Sequence, residues 1–150
     1  MLVRIISGPI FEAVKNIINH KPIQKGGSMK RILVVDDEEN IREAVRFVLQ
    51  DEGCEVLEAE NGAEAVRIIA EKRPDMIVSD VMMDSGNGFM LREILLENPA
   101  TASIPVVLMT GAAQGAGAWS SDPSIGYLAK PFTAAELVEV VRDGLKVKEG

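Results

Sequence analysis

"ILVVDDEEN", residues 32–40, sets four apolar residues against four consecutive acids. The apolar half is short, unbroken and partly β-branched, the pattern of a strand buried on both faces. The acidic half is costly. Two carboxylates about 4 Å apart repel by roughly 4 kcal/mol at the effective dielectric near a protein surface, a large share of the about 5–15 kcal/mol that holds a domain together. Either these acids splay into water or a cation sits among them, and the surrounding sequence decides which.

Outward from this stretch the pattern alternates. "RILVV" (31–35) is followed by Ile41, Val45, Val48 and Leu49 at helical spacing, with Gly53 as the stop. "CEVLEA" (54–59) alternates like an edge strand with one exposed face. Asn61-Gly62 opens a helix with Ala65, Val66 and Ile69 on its inner face, ending before Pro74. "MIVSD" (76–80), "IPVVLMT" (104–110) and "YLAK" (127–130) are three further strands, with a helix over Gly88 to Leu96. The last helix opens on a capping box, Thr133 with Glu136 three residues on, and buries Leu137, Val141 and Leu145. Five strands alternating with helices make an α/β domain whose parallel sheet is covered on both faces. Right-handed crossovers at this size favour a flavodoxin-like, doubly wound sheet of order 2-1-3-4-5.

Composition narrows the function. The chain has 150 residues, 47% hydrophobic and 26% charged, which suits one globular domain with a real core. A net charge of −7 and the lack of a basic stripe argue against direct nucleic-acid binding. One cysteine, Cys54, cannot form an internal disulfide and is expected as a small core residue in a cytoplasmic protein. No apolar run approaches the roughly 20 residues that span a bilayer, so no membrane insertion is expected, and "MLVRIISGPIF" is too broken to be a secretory signal.

In open α/β sheets, ligands bind outside the carboxyl ends of the strands where strand order reverses. Strand 1 ends in Asp36 and Asp37, strand 3 in Asp80, strand 4 in Thr110 and strand 5 in Lys130. Any strand end supplies a polar residue or two; five of complementary chemistry at one edge make a site. Oxygen ligands without a nearby His or Cys point to Mg²⁺. His20, the only histidine, lies elsewhere, which disfavours zinc. A hydroxyl and an ammonium beside Mg²⁺ suit a phosphoryl group. The nucleophile would be a carboxylate forming an acyl phosphate, and Asp80, on the central strand, is best placed. Glu38 and Glu39 fall in a helix's first turn, where acids favour the positive end of its dipole.

"VVDDEENIR", "IVSDVMM", "VVLMTG" and "YLAKPF" together resemble the receiver domain of bacterial two-component response regulators, over about Lys30 to Lys146. The resemblance implies that Asp80 accepts phosphate from a histidine kinase or phosphotransfer protein. It implies that Asp36, Asp37 and Asp80 hold Mg²⁺ with the backbone carbonyl of Met82. It further implies that Thr110 and Lys130 contact the phosphoryl oxygens, that Thr110 and Tyr127 form the switch, and that Lys130-Pro131 is a cis peptide. Such a domain is a phosphoacceptor and not an enzyme in the usual sense, although it promotes its own phosphorylation and dephosphorylation. A downstream protein partner or effector domain, and a dimer that depends on phosphorylation, belong to the same expectation. On these terms residues 29–148 are the receiver domain.

Three stretches depart from the family pattern. Asp84 stands where the family usually has proline, either as a solvated loop acid or as a charge that alters phosphotransfer and hydrolysis rates. "GAAQGAGAWSSDPSIG" (111–126) replaces the family's fourth helix with four glycines and Pro123. Each interior glycine costs a helix about 1 kcal/mol against alanine, so an atypical fourth helix and an irregular or mobile output face are expected, with Trp119 as interaction anchor or packing residue. No Walker or GxGxxG spacing makes this a nucleotide loop. Residues 1–28 read as an N-terminal extension: an amphipathic helix through Ile10, Val14, Ile17 and Ile18, then the linker "KPIQKGGS". They also fit an artefact, since Lys25-Gly26-Gly27 can be encoded by the ribosome-binding sequence AAAGGAGGT just before Met29.

Two rival functions share these residues. A Mg²⁺-dependent phosphohydrolase would use Asp80 as nucleophile, but lacks the second acid two residues on that Asp-based phosphatases need. An unphosphorylated receiver-like interaction module would have no need of all five site residues. Turnover of p-nitrophenyl phosphate separates the first rival, and an acid-labile phosphoprotein separates the second.

Overall fold

The computed structural model describes residues 29–83, 86–111 and 125–149. Five strands, β1 (Arg31–Val35), β2 (Glu55–Ala59), β3 (Met76–Asp80), β6 (Val106–Thr110) and β7 (Ile125–Ala129), pair in parallel in the order β2-β1-β3-β6-β7. Counted along the sheet's own strands this is 2-1-3-4-5, the doubly wound order expected. β4 (Met82–Met83) and β5 (Gly86–Asn87) form a separate antiparallel pair just beyond β3.

Alternation along the strands divides the core. Ile32, Val34, Val78, Val107 and Met109 face α1 (Glu39–Asp51), through Val45 and Leu49, and α4 (Ala134–Glu149), through Leu137, Val141 and Leu145. Leu33, Val35, Ile77 and Leu108 face α2 (Gly62–Lys72), through Ala65 and Ile69, and α3 (Gly88–Leu96), through Leu91 and Leu95. Burying each such side chain is worth about 1.5–3 kcal/mol relative to exposure. Both faces of the sheet are thus closed by apolar contact, leaving its carboxyl edge for polar chemistry.

Helix ends follow local rules. The N–H of Cys54 reaches back to the carbonyl of Leu49 at 3.0 Å to close α1, over Gly53 at φ 86°, a conformation that needs glycine. Asn61 caps α2, its side-chain oxygen accepting the Glu64 N–H at 2.8 Å. The capping box of α4 is formed in both directions: Glu136 N–H donates to the Thr133 hydroxyl at 3.1 Å, and Thr133 N–H to the Glu136 carboxylate at 2.9 Å.

Several boundaries and faces differ from the sequence reading. β2 is indeed an edge strand, but it has no openly exposed face: Val56 packs on the α1/α4 side and Leu57 on the α2/α3 side. Val66 is 36% exposed and points away from the inner face of α2. β6 begins at Val106, after Pro105, which joins the sheet only by accepting the Ile77 N–H at 3.0 Å. β7 runs over Ile125–Ala129 and so takes in Ile125 and Gly126 from the end of the glycine-rich stretch, while Lys130 lies just past it. Of the stretch 111–126, where an irregular fourth helix and Trp119 are expected, residues 112–124 lie outside the described residues, as do Asp84 and the extension 1–28 with His20.

Candidate phosphoryl and metal site

Strand register assembles the site. Val35 pairs with Ser79, so the next residues, Asp36 and Asp80, leave neighbouring strands side by side. Asp80 pairs with Met109, and Thr110 with Ala129, which puts Thr110 and Lys130 at the same edge.

Asp36 is wholly buried, and its polar atoms are all engaged. Its N–H donates to the carbonyl of Ala59 at 3.1 Å. Its Oδ1 accepts the Glu38 N–H at 2.9 Å, and its Oδ2 accepts the Lys130 ammonium at 3.0 Å. Its carbonyl accepts from Arg42 Nη1 at 2.7 Å. A buried carboxylate is tolerable only with such partners and an opposite charge. Asp80 is 9% exposed, with Oδ1 3.5 Å from Lys130 Nζ. Thr110 is buried, and its carbonyl accepts the Lys130 N–H at 2.7 Å, tying the lysine's backbone to the end of β6. The Lys130–Pro131 peptide is cis.

Burial alone would lower the pKa of Lys130. Its hydrogen bond to Asp36, and the charges of Asp36 and Asp80, outweigh that and raise it above the usual lysine value. The ammonium therefore stays charged between the two carboxylates at neutral pH.

Among the described residues, the carboxylates of Asp36, Asp37 and Glu38 form a group whose oxygens lie within 4.8 Å of one another. Asp36 is buried while Asp37 and Glu38 are exposed, and Asp80 is linked to this group through Lys130. All-oxygen donors of high charge density, without nitrogen or sulfur among them, fit a hard divalent cation such as Mg²⁺. Met82 begins β4, two residues past Asp80. Tyr127 lies within β7, partly buried against the α2/α3 side of the core.

Three participants escaped the sequence reading. Glu38, assigned there to a helix's first turn, instead stands at the N-cap of α1 and brings its carboxylate to Asp36 and Asp37. Arg42 binds the Asp36 carbonyl and also donates Nε to Glu58 Oε1 at 3.2 Å. Glu58 in turn accepts from Arg46 Nη1 at 2.8 Å. Arginines on an amphipathic helix and a glutamate on an edge strand look like solvated surface, so only the fold discloses their pairing.

The family model for the response regulator receiver domain matches residues 32–142. The chain belongs to this family. Among curated relatives of the receiver, the phosphate regulon transcriptional regulatory protein PhoB of Pseudomonas aeruginosa is 36% identical over 115 residues, 73% of this chain and 48% of PhoB. Protein PilH of Pseudomonas aeruginosa is 31% identical over 115 residues, covering 75% of this chain and 95% of PilH. Among solved structures, a response regulator receiver domain protein of Clostridium thermocellum superposes with a TM-score of 0.70 at 30% identity, covering 81% of this chain and 98% of the other. The chemotaxis response regulator CheY4 of Vibrio cholerae gives 0.66 at 28% identity, covering 78% and 99%. The chain spans about half the length of the PhoB proteins it matches. Among the described residues, no helix is long and apolar enough to cross a membrane.

Proposed function

We propose that this receiver domain takes a phosphoryl group from a histidine kinase or phosphotransfer protein onto Asp80. Asp36, Asp37, Asp80 and the carbonyl of Met82 would hold Mg²⁺ for the transfer. The observation that carries the reading is Lys130, whose ammonium lies 3.0 Å from Asp36 Oδ2 and 3.5 Å from Asp80 Oδ1. In the transfer, an Asp80 oxygen forms a new P–O bond as the donor's bond to phosphorus breaks, and the leaving group departs with that electron pair. When bound by these residues, Mg²⁺ would supply positive charge that offsets the charge of the phosphoryl group. Lys130 turns from Asp80 to the phosphoryl oxygens, and Thr110, buried at the end of β6, donates its hydroxyl to them.

The domain acts as a phosphoacceptor that promotes its own phosphorylation and dephosphorylation. Movement of Thr110 and Tyr127 on phosphorylation would signal to a downstream protein partner or effector domain, or to a second copy in a phosphorylation-dependent dimer. PhoB is a transcriptional regulator. The net charge of −7 here does not favour direct DNA contact by this domain, so any such output belongs to an effector. Histidine kinase signalling of this kind, and the single cysteine, suit the cytoplasm. The test is chemical. Labelled acetyl phosphate with Mg²⁺ should leave an acyl phosphate on the folded protein that hydroxylamine removes, with no steady turnover of p-nitrophenyl phosphate. A label that resists hydroxylamine would refute the aspartyl phosphate.

A further inference from the structure

We propose that Arg42 positions the metal-binding acids, acting through the peptide that joins Asp36 to Asp37. This rests on reading those two residues as Mg²⁺ ligands.

Arg42 stands on α1, its side chain 14% exposed. The guanidinium is forked: Nη1 donates to the Asp36 carbonyl at 2.7 Å, and Nε to Glu58 Oε1 at 3.2 Å. Arg46 Nη1 holds the other Glu58 oxygen at 2.8 Å. The Asp36 N–H meanwhile donates to Ala59, the residue after Glu58. Edge strand β2 therefore grips Asp36 twice, once through the Ala59 carbonyl and once through Glu58 and Arg42.

The consequence falls on Asp37. The Asp36 carbonyl and the Asp37 nitrogen share one planar peptide, so fixing that oxygen fixes the direction in which Asp37 leaves the strand. Asp37 is exposed, and its carboxylate lies within 4.8 Å of those of Asp36 and Glu38. Repulsion among the three would swing a free Asp37 into water and away from a cation. Arg42 holds its backbone against that.

Arg42 is not part of a second anion site. The hollow beside it is lined by Arg42 and Arg46 but also by Glu39, Glu58, Glu60 and Glu64, and its acids outnumber its bases. The charge and the geometry of Arg42 also predict opposite signs. As a nearby cation it repels Mg²⁺, whereas as a fork on the 36–37 peptide it favours binding.

Calorimetric titration of Mg²⁺ into the full chain separates the two, run well below the melting temperature of each variant. Arg42→Met is expected to bind Mg²⁺ about tenfold more weakly, the usual scale for lost ligand support. Arg42→Lys keeps the charge but loses the planar fork that holds Asp36 and Glu58 from separate nitrogens, and should also weaken binding. Arg46→Met removes a cation from the same Glu58 and spares the Asp36 bond, so its affinity should stay within about twofold, as for a partly exposed ion pair. Metal-free melting temperatures record any purely structural loss, which the Arg46 variant shares. Unchanged or tighter Mg²⁺ binding in Arg42→Met overturns the proposal, as does an equal loss in Arg46→Met. If Arg42→Met does not fold, wild-type affinity in Arg42→Lys overturns it. A wild-type protein that binds no Mg²⁺ refutes the reading of Asp36 and Asp37 as ligands and this proposal with it. Wild-type binding with unchanged Arg42 variants refutes this proposal alone.

Discussion

Lys130 donates to Asp36 across 94 residues of chain, Nζ to Oδ2 at 3.0 Å. Lys130 follows edge strand β7 and Asp36 follows β1, with β3 and β6 between them in the sheet. The lysine side chain thus lies along the carboxyl edge and passes Asp80 on its way. One cation serves two carboxylates, and the more deeply buried one has the shorter bond.

Removing that cation should therefore be felt in stability as well as in phosphorylation. Lys130→Met leaves the buried Asp36 carboxylate without an opposite charge, which typically costs about 3–5 kcal/mol. Urea denaturation without Mg²⁺ should show this loss, and adding Asp36→Asn to Lys130→Met should recover part of it. Purely additive losses would mean the two groups are not coupled.

Asp37 should behave in the opposite way. It is exposed and crowded by Asp36 and Glu38, so it contributes repulsion until a cation arrives. Asp37→Ala should bind Mg²⁺ more weakly, yet melt no lower than wild type without metal. A lower metal-free melting temperature would show that the carboxylate has a structural role of its own.

Cys54 is buried, and burial, helped by the charge of Glu52, pushes its thiol up to about 11 from 9.0. At pH 8 the folded protein should alkylate with iodoacetamide about a hundredfold more slowly than the unfolded chain, on thiolate fraction alone. Because the folded pKa is raised, the stability from the neutral thiol is fully present below about pH 9 and is lost as pH rises towards about 11. The difference in stability between wild type and Cys54→Ala should shrink over that window, and a constant difference would contradict the burial argument.

How legible each element was follows from its surroundings. β1 and β3 carried their boundaries in plain sight, because central parallel strands are continuous apolar runs that end in acids. β7 was less clear, since Gly126 in a strand reads as a break. A Cβ there would come within 3.1 Å of Val140 and 3.3 Å of Val107, so close helix packing supplies the reason for glycine. Val66 looked like a core residue because it sits beside Ala65 in an apolar run, whereas the helix turns it outward. The five residues of the proposed site stood out because each lies at or just past the end of a strand, and a parallel sheet brings strand ends together. The link from Arg42 through Glu58 did not, because it depends on which exposed-looking charges two neighbouring elements bring into register.

The central claim, that Asp80 is the phosphoacceptor, is tested most directly by intact-mass spectrometry after acetyl phosphate and Mg²⁺ treatment of wild type and Asp80→Asn. Asp80 closes the central strand with its carboxylate 3.5 Å from the Lys130 ammonium. Wild type should gain a single phosphoryl group and Asp80→Asn none. An equal gain in the variant would place the acceptor elsewhere and contradict the account.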